Sequence, residues 1–399
     1  MFDIQAVRAQ FPALSNVPFT YLDSAATTQK PQAVIDAITH YYTQSNANVH
    51  RGSHSLTTQA TTQFEQARET VCRFINAQST KEIVWTRGAT EAINLIAQTY
   101  ARNSLKSGDE ILISEMEHHA NIVPWQLVAT QTGAKIVKIP MTTDCQLDLD
   151  AYKARLTPRT KIVAISHVSN VTGTRHPIEK MIAIARQNNC VVVVDGAQGI
   201  VHETVDVQAL GCDFYVFSGH KLFAPTGIGV LYGRLPLLEA MPPWHGGGKM
   251  VHKVSFEGTS FSDLPGKFEA GTPNVAGSIA LATAINWLQG IDMQHAEQHI
   301  TRLQHQAYQG LSAIEDVTVI GYQEQASVIS FVIDGVHHQD IATLLDQQGI
   351  ALRAGHHCAH PFMDALDIKG TVRASFALYN NMDDVQKLIS AVEKAADML

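Results

Sequence analysis

The sequence predicts an α/β fold with a mostly parallel central sheet in a large domain, followed by a smaller α+β domain. Three observations carry this reading. Short apolar runs rich in β-branched residues alternate with amphipathic stretches. One run, "VVVVD" at 191–195, has no polar alternation, the pattern of a strand covered on both faces. After Ser278 the pattern changes to a helical stretch, three short apolar runs and two further helices.

Taken in order, the strands of the large domain are expected at "EIVWT" (82–86), "EILIS" (110–114), "KIVKIP" (135–140), "KIVAIS" (161–166), "VVVVD" (191–195) and "FYVFS" (214–218). Between them, Thr90–Ala101 and Ile178–Asn188 read as helices. In the first, Ile93, Ile96, Ala97 and Tyr100 fall on one face. From Pro242, "PPWHGGGKM" and "EGTSFSDLPGKFEAGTPN" are dense in Gly, Pro and Ser and read as long loops. The later runs "VTVIGY", "SVISFVI" and "IALRAG", with helices at 338–348 and 383–397, make the smaller domain.

The chain has 399 residues, 45% of them hydrophobic, enough for a full core. Its 29 basic and 37 acidic side chains leave a net charge of −8. A net acidic chain without long basic runs argues against nucleic acid as a partner. No apolar run approaches the ~18 residues of a membrane span. "MFDIQAVRAQFPAL" lacks the basic and apolar regions of a signal peptide. Five scattered cysteines, an odd number, suggest free thiols in a reducing compartment, so a cytoplasmic location is expected.

Chemistry gathers first in "FSGHKLFAPTGIGVLYG". A loop lysine ordinarily faces water, but Lys221 sits among small and apolar residues just after an expected buried strand. Burial lowers an ammonium's pKa and makes lysine a nucleophile suited to a Schiff base. Asp195 ends the all-valine strand. It is either a surface carboxylate or a helix cap, or it faces a ligand beyond the strand's carboxyl end. There it holds a pyridinium nitrogen protonated, the recurrent partner of a Schiff-base lysine in pyridoxal phosphate chemistry. In "TRGATEAIN", Gly88 permits close approach, and the amides of Ala89 and Thr90 open a helix, a natural phosphate site. An ordinary capped helix explains the same residues. Ser218 and His220 add candidate phosphate contacts. His118, in "EMEHHANIVPW", offers a flat ring for stacking and a proton relay. The GGGK at 246–249 is not a P-loop, for it lacks the preceding strand and the final Ser/Thr.

"LRAGHHCAHP" (352–361) places three histidines and one cysteine in five consecutive positions. It reads as a metal clip (His356, His357, Cys358 and His360, with His337 and His338 in reserve), as a nucleophile with acid–base neighbours, or as a crowded loop. Adjacent side chains diverge, which disfavours the metal reading. No metal ligand is assigned.

Together "YLDSAAT", "NVHRG", "RGATEAIN", "EMEHHANIVPW", "VSNVTG", "VVVVDGAQG", "SGHKLFAPTGIGVLYG", "FEAGTPN" and "RAGHHCAHP" resemble a cysteine desulfurase of the class-V aminotransferase-like family, fold-type I pyridoxal phosphate enzymes. The resemblance runs from about Phe11 to the C-terminus. "RAGHHCA" is similar to group II, the SufS and CsdA type, and "GGGKMVHKVSFEG" and "RASFALYN" look closer to CsdA. It implies an N-terminal segment, 1–20, packed on the small domain, a cofactor-binding domain at 21–288, and a small domain at 289–399 bearing the cysteine loop.

The roles it implies follow residue by residue. The cofactor is pyridoxal 5'-phosphate, carried on Lys221. Asp195 meets the pyridine nitrogen, Gln198 the ring hydroxyl, and His118 stacks on the ring. Ala89, Thr90, Ser218 and His220 hold the phosphate, with Thr272 supplied by the partner of a homodimer. Asn170, Arg353 and Arg373 bind the substrate, whose carboxylate suits Arg373's planar fork. Lys221, Cys358 and His118 are catalytic, and His50 and Arg51 lie near the entrance. L-cysteine becomes L-alanine, and its sulfur passes to Cys358 as a persulfide and on to a SufE- or CsdE-like acceptor protein, for iron–sulfur clusters or tRNA thiolation. A thiolate is the attacking form, and His356, His357 and Arg353 are candidates to favour it. L-selenocysteine fits the same site as an alternative substrate.

Overall fold

The computed structural model describes residues 2–398; positions 1 and 399, the ends of the expected first and last domains, lie outside them. The main sheet has seven strands: β1 (Ile83–Thr86), β2 (Glu110–Ser114), β3 (Lys135–Ile139), β4 (Thr160–Ser166), β5 (Val191–Asp195), β6 (Phe214–Ser218) and β7 (Gly229–Gly233). They lie in the order β1-β7-β6-β5-β4-β2-β3. From β6 to β3 all neighbours are parallel, while β7 runs against both of its neighbours.

Helices cover both faces. They include α1 (Ser55–Phe74), α2 (Ala89–Ile96), α3 (Val123–Thr132), α4 (Ile178–Gln187) and α5 (Val275–Gln289). The valine run shows why the sheet is double-sided. Val192 and Val194 enter one apolar core, and Val193 enters the other. A strand buried on both faces has no use for polar alternation.

The strand expected at 135–140 forms over Lys135–Ile139 at the edge of the sheet, with Lys135 and Lys138 exposed. Lysines on an edge discourage pairing with another chain. The segment after Pro242 is not all loop: β8 (Val251–Ser255) and β9 (Gly258–Phe261) form an antiparallel hairpin. Nearly all of it is exposed, so no buried face marks it in the sequence.

A second, antiparallel sheet contains β10 (Val317–Ile320), β11 (Val328–Ile333), β12 (Arg353–Gly355) and β13 (Thr371–Ser375), in the order β10-β11-β13-β12. Helices α6 (Met293–Ser312), α7 (His338–Gln347), α8 (His360–Ala365) and α9 (Met382–Met398) accompany it. The expected strand "IALRAG" divides at Leu352. Ile350–Ala351 pairs in parallel with Thr20–Tyr21, and Arg353–Gly355 joins the second sheet.

The N-terminal segment fastens across the chain. Phe11 is fully buried against the rings of Phe223, Trp287 and Tyr379. Arg8 bonds Asp384 at 2.9 Å and the Tyr379 carbonyl at 2.8 Å. No helix among the described residues is long and apolar enough to cross a membrane.

Candidate active site

Parallel strands deliver their carboxyl ends to one edge of a sheet, and loops there converge. A cavity of about 220 Å³ lies at that edge. Ala89, Thr90, His118, Asn170, Asp195, Gln198, Ser218, His220, Lys221, Arg353 and Arg373 all line it. Thr272 does not; it lines a separate cavity with Trp85 and Asn274. Cys358 stands outside the lining, on the adjoining loop.

Lys221 ends the tight turn Gly219–Lys221 that follows β6. The carbonyl just before it, on His220, is held by four donors. They are the Thr28 amide, the hydroxyls of Thr27 and Thr28 (each at 3.1 Å) and Lys30 Nζ at 2.9 Å. The turn is therefore fixed by the stretch 27–30. Burial pushes the Lys221 pKa down to about 8; Asp195 opposes this, and Arg373 and Arg353 add to it. The neutral amine is therefore far more populated near neutral pH than in an ordinary lysine.

Asp195 closes β5 and is buried. Its carboxylate accepts from the Ala197 amide at 3.0 Å. Burial raises its pKa, while that bond and the charge of Lys221 lower it. A buried carboxylate so sparsely bonded calls for a cationic partner.

His118 follows β2. Its Nδ1 accepts from the Ala120 amide at 3.0 Å, which leaves Nε2 as the protonated nitrogen. Burial and then the charge of Lys221 push its pKa down to about 3, so the ring is neutral. Beside it, Glu117 is completely buried and receives Ser114 Oγ at 2.6 Å, Asn121 Nδ2 at 2.8 Å and the Ser166 amide at 3.0 Å. Burial raises its pKa to about 7. This carboxylate ties the His118 segment to β4.

Elsewhere in the lining, the Ala89 amide donates to Ser218 Oγ at 2.9 Å. Gly229 allows the Gly88 turn to lie against β7: a Cβ there would stand 2.5 Å from Gly88 Cα. His220 Nδ1 is buried with no partner among the described residues. An orphaned polar atom beside a cavity signals a missing polar ligand.

Arg373, on β13, donates from Nη1 to the Asn170 carbonyl at 2.8 Å and from Nη2 to Asp23 at 3.1 Å. Its Nε is buried without a partner among the described residues. Arg353 is its cross-strand partner. Gln198 Nε2 donates to the Ala25 carbonyl at 2.8 Å.

The cysteine loop is pinned on both sides of its sulfur. Asn170 Nδ2 donates to the His357 carbonyl, and the His119 amide to the Cys358 carbonyl, each at 2.7 Å. His357 and Cys358 both adopt left-handed backbone, with φ of 52° and 55°. Two such non-glycine residues cost about 1–3 kcal/mol each and persist only where contacts over-determine them. Cys358 itself is partly exposed.

The four side chains of the metal reading do not converge. His356 and His360 stack at 4.0 Å, His360 stacks on His119 at 4.8 Å, and His357 turns inward to Thr371. Among the described residues no group of three or more His, Cys, Asp or Glu is placed to hold a metal ion. His357 is also removed as a charged neighbour of the thiol, because burial and then Arg373 push its pKa down to about 2.

A sequence model described as aminotransferase class-V matches residues 20–388. The chain belongs to the class-V aminotransferase family. A curated relative from Vibrio cholerae serotype O1, named probable cysteine desulfurase, is 69% identical over 403 residues, covering all of both chains. The crystal structure of cysteine desulfurase CsdA (S-sulfonic acid) from Escherichia coli superposes with a TM-score of 0.95 at 49% identity, again over all of both chains. The apo cysteine desulfurase of Thermococcus onnurineus NA1 gives 0.94 at 38% identity, over 99% of this chain and 98% of that one.

Several residues of this class-V site escaped the sequence reading: Asp23, Thr27, Thr28, Lys30, Glu117 and Thr371. The first four lie in or just after "YLDSAAT". An acidic residue closing an apolar dyad was the available signal for Asp23.

Proposed function

We infer that the chain is a pyridoxal 5'-phosphate-dependent cysteine desulfurase converting L-cysteine to L-alanine, with the sulfur taken as a persulfide on Cys358. The observation that carries this reading is the meeting of Lys221 and Asp195 in one cavity, beside a loop that fixes Cys358, in a chain 69% identical to a probable cysteine desulfurase.

The residues fit the cofactor. Asp195 is a buried carboxylate awaiting a cation, which a protonated pyridine nitrogen provides. Lys221 offers the amine, His118 a neutral ring for stacking, and Gln198 a side-chain oxygen for the ring hydroxyl. Ser218, Thr90, Ala89 and His220, whose Nδ1 is orphaned, line the same cavity and would hold the phosphate. Once bound, the cofactor supplies an electron sink for the pair released at the substrate's α-carbon.

This chain's own groups do the rest. Arg373, with Asn170 and Arg353, holds the amino acid by its carboxylate. Lys221 Nζ, whose lowered pKa makes the neutral amine accessible, takes the α-proton. The Cys358 thiolate attacks the substrate sulfur; the S–S bond forms as the C–S bond breaks, and the carbon product is protonated to L-alanine. The bonds to His357 O and Cys358 O keep the attacking sulfur in one place.

The reading extends to a homodimer. Thr272 lies away from its own chain's cavity, which suits a phosphate contact to a partner's site, and Phe256 at the tip of the β8–β9 hairpin is fully exposed. It extends also to a SufE- or CsdE-like acceptor protein that collects the sulfur for iron–sulfur cluster assembly, because a pinned loop cannot travel. All five cysteines are free, in keeping with a cytoplasmic protein. The domain limits at 20 and 288 belong to the same reading. The test is to supply L-cysteine to the holoenzyme with a thiol acceptor and quantify alanine and sulfide. Equal amounts of both support the reading; transamination to a keto acid without sulfide overturns it.

A further inference from the structure

Asp23 is an acidic side chain outside the cavity lining, two residues before the lining Ala25, that the reaction does not use. Its carboxylate receives Arg373 Nη2 at 3.1 Å, from the guanidinium assigned above to the substrate's carboxylate. The surroundings explain why an anion belongs there. Arg353 and Arg373 stand opposite each other on β12 and β13, and both reach the cavity. Like charges placed directly opposite on a sheet repel. Arg373 is 2% exposed, its Nη1 is taken by the Asn170 carbonyl, and its Nε has no partner among the described residues. Leaving such a guanidinium without a counter-charge is strongly unfavourable.

Asp23 differs from Arg373 in one respect. Its side chain is 24% exposed, so water is at hand if the contact breaks. Its backbone is held: the Asp23 carbonyl accepts from the amides of Ala26 at 3.0 Å and Thr27 at 3.2 Å, and the residue bridges to Ser375. Exchange therefore needs only a side-chain rotation.

We propose that Asp23 is an internal stand-in for the substrate's carboxylate, holding Arg373 in place when the cavity is empty and yielding that contact when an amino acid binds. The inference rests on the role given to Arg373 in the proposed function. No bond or proton changes; one charge-assisted hydrogen bond replaces another. Asp23 is a positioning residue, and its cost falls on every amino-acid carboxylate alike. It weakens binding of the product as well as the substrate, and so favours release of L-alanine. The displaced contact is of a kind that sets a factor of about ten in affinity.

The test titrates the holoenzyme with L-alanine and follows the cofactor's visible absorbance in the parent, Asp23→Asn and Asp23→Glu. The Asn variant is expected to bind L-alanine about tenfold tighter, with the KM for L-cysteine falling alongside, and the Glu variant to return toward the parent. Unchanged or weaker binding in a folded Asn variant, judged by its thermal midpoint, overturns the proposal. Asp23→Ser gives the same comparison if the Asn variant is not recovered folded. A parent enzyme that makes no alanine from cysteine overturns the functional reading instead, and that result is separate from the ratio of affinities.

Discussion

Lys221 shows how a single side chain acquires its chemistry from placement. Burial and two nearby arginines favour the neutral amine, while Asp195 restrains the shift, and the balance is a pKa near 8. The sign for stability follows. Because the folded value lies below the ordinary lysine value of 10.5, the unfolded chain binds more protons across that window. Stability from this group rises with pH from about 8 to 10.5 and is at its least below 8. In the apoenzyme, labelling of Lys221 by an amine-selective reagent should reach half its maximal rate near pH 8. A midpoint above pH 10 would show that the amine is solvated. His118, held near 3, adds no inflection to that profile.

At the scale of elements, the site depends on close approach between β7 and the turn entering α2. Gly229→Ala sets a methyl 2.5 Å from Gly88 Cα and 2.7 Å from the Phe217 carbonyl, both backbone atoms. Backbone cannot swing aside as a flexible side chain can. The substitution should cost about 1–3 kcal/mol in urea unfolding and weaken cofactor retention on dilution. Unaltered retention would mean that this turn does not shape the phosphate end. Legibility in the sequence follows a physical line at this scale. β5 is plain because burial on both faces removes polar alternation, whereas Lys221 and Asp195 taken singly read equally as a loop lysine and a surface or capping carboxylate, and only the set of motifs together points to a site. The edge position of β3 is not plain, since exposure of 135–139 depends on which strand stands beside it. The hairpin at 251–261 was hidden because it buries no face. Asp23 was missed because its bond to Arg373 spans 350 positions, and no local pattern encodes such a pair.

In the whole molecule, separate segments are locked by buried charge. Arg68 and Glu269 are both almost wholly buried and meet in two parallel bonds, 2.6 and 3.0 Å long. Glu269 also accepts the Trp85 amide at 2.9 Å, and Lys249 Nζ lies 3.6 Å away. The pair joins α1, β1, the segment before the hairpin and the segment bearing Thr272. Glu269→Ala leaves Lys249 without its ion-pair partner and Arg68 with Glu65 alone, bonded to its Nε at 3.0 Å, as counter-charge, and should lower stability by about 3–5 kcal/mol, read as a fall in the urea midpoint. A loss under about 1 kcal/mol would show that water reaches the pair. The fold thus carries three fixed parts to one place: a turn with a neutral lysine, a strand end with a buried carboxylate, and a pinned loop with a thiol. Their joint purpose is tested most directly by mass spectrometry of the holoenzyme after L-cysteine is added without an acceptor. The account predicts one added sulfur atom, removable by reductant, on the peptide containing Cys358, and none in Cys358→Ala, which keeps its bound cofactor. Added sulfur on Cys72, Cys145, Cys190 or Cys212 instead, or undiminished alanine and sulfide from the Ala variant, would contradict it.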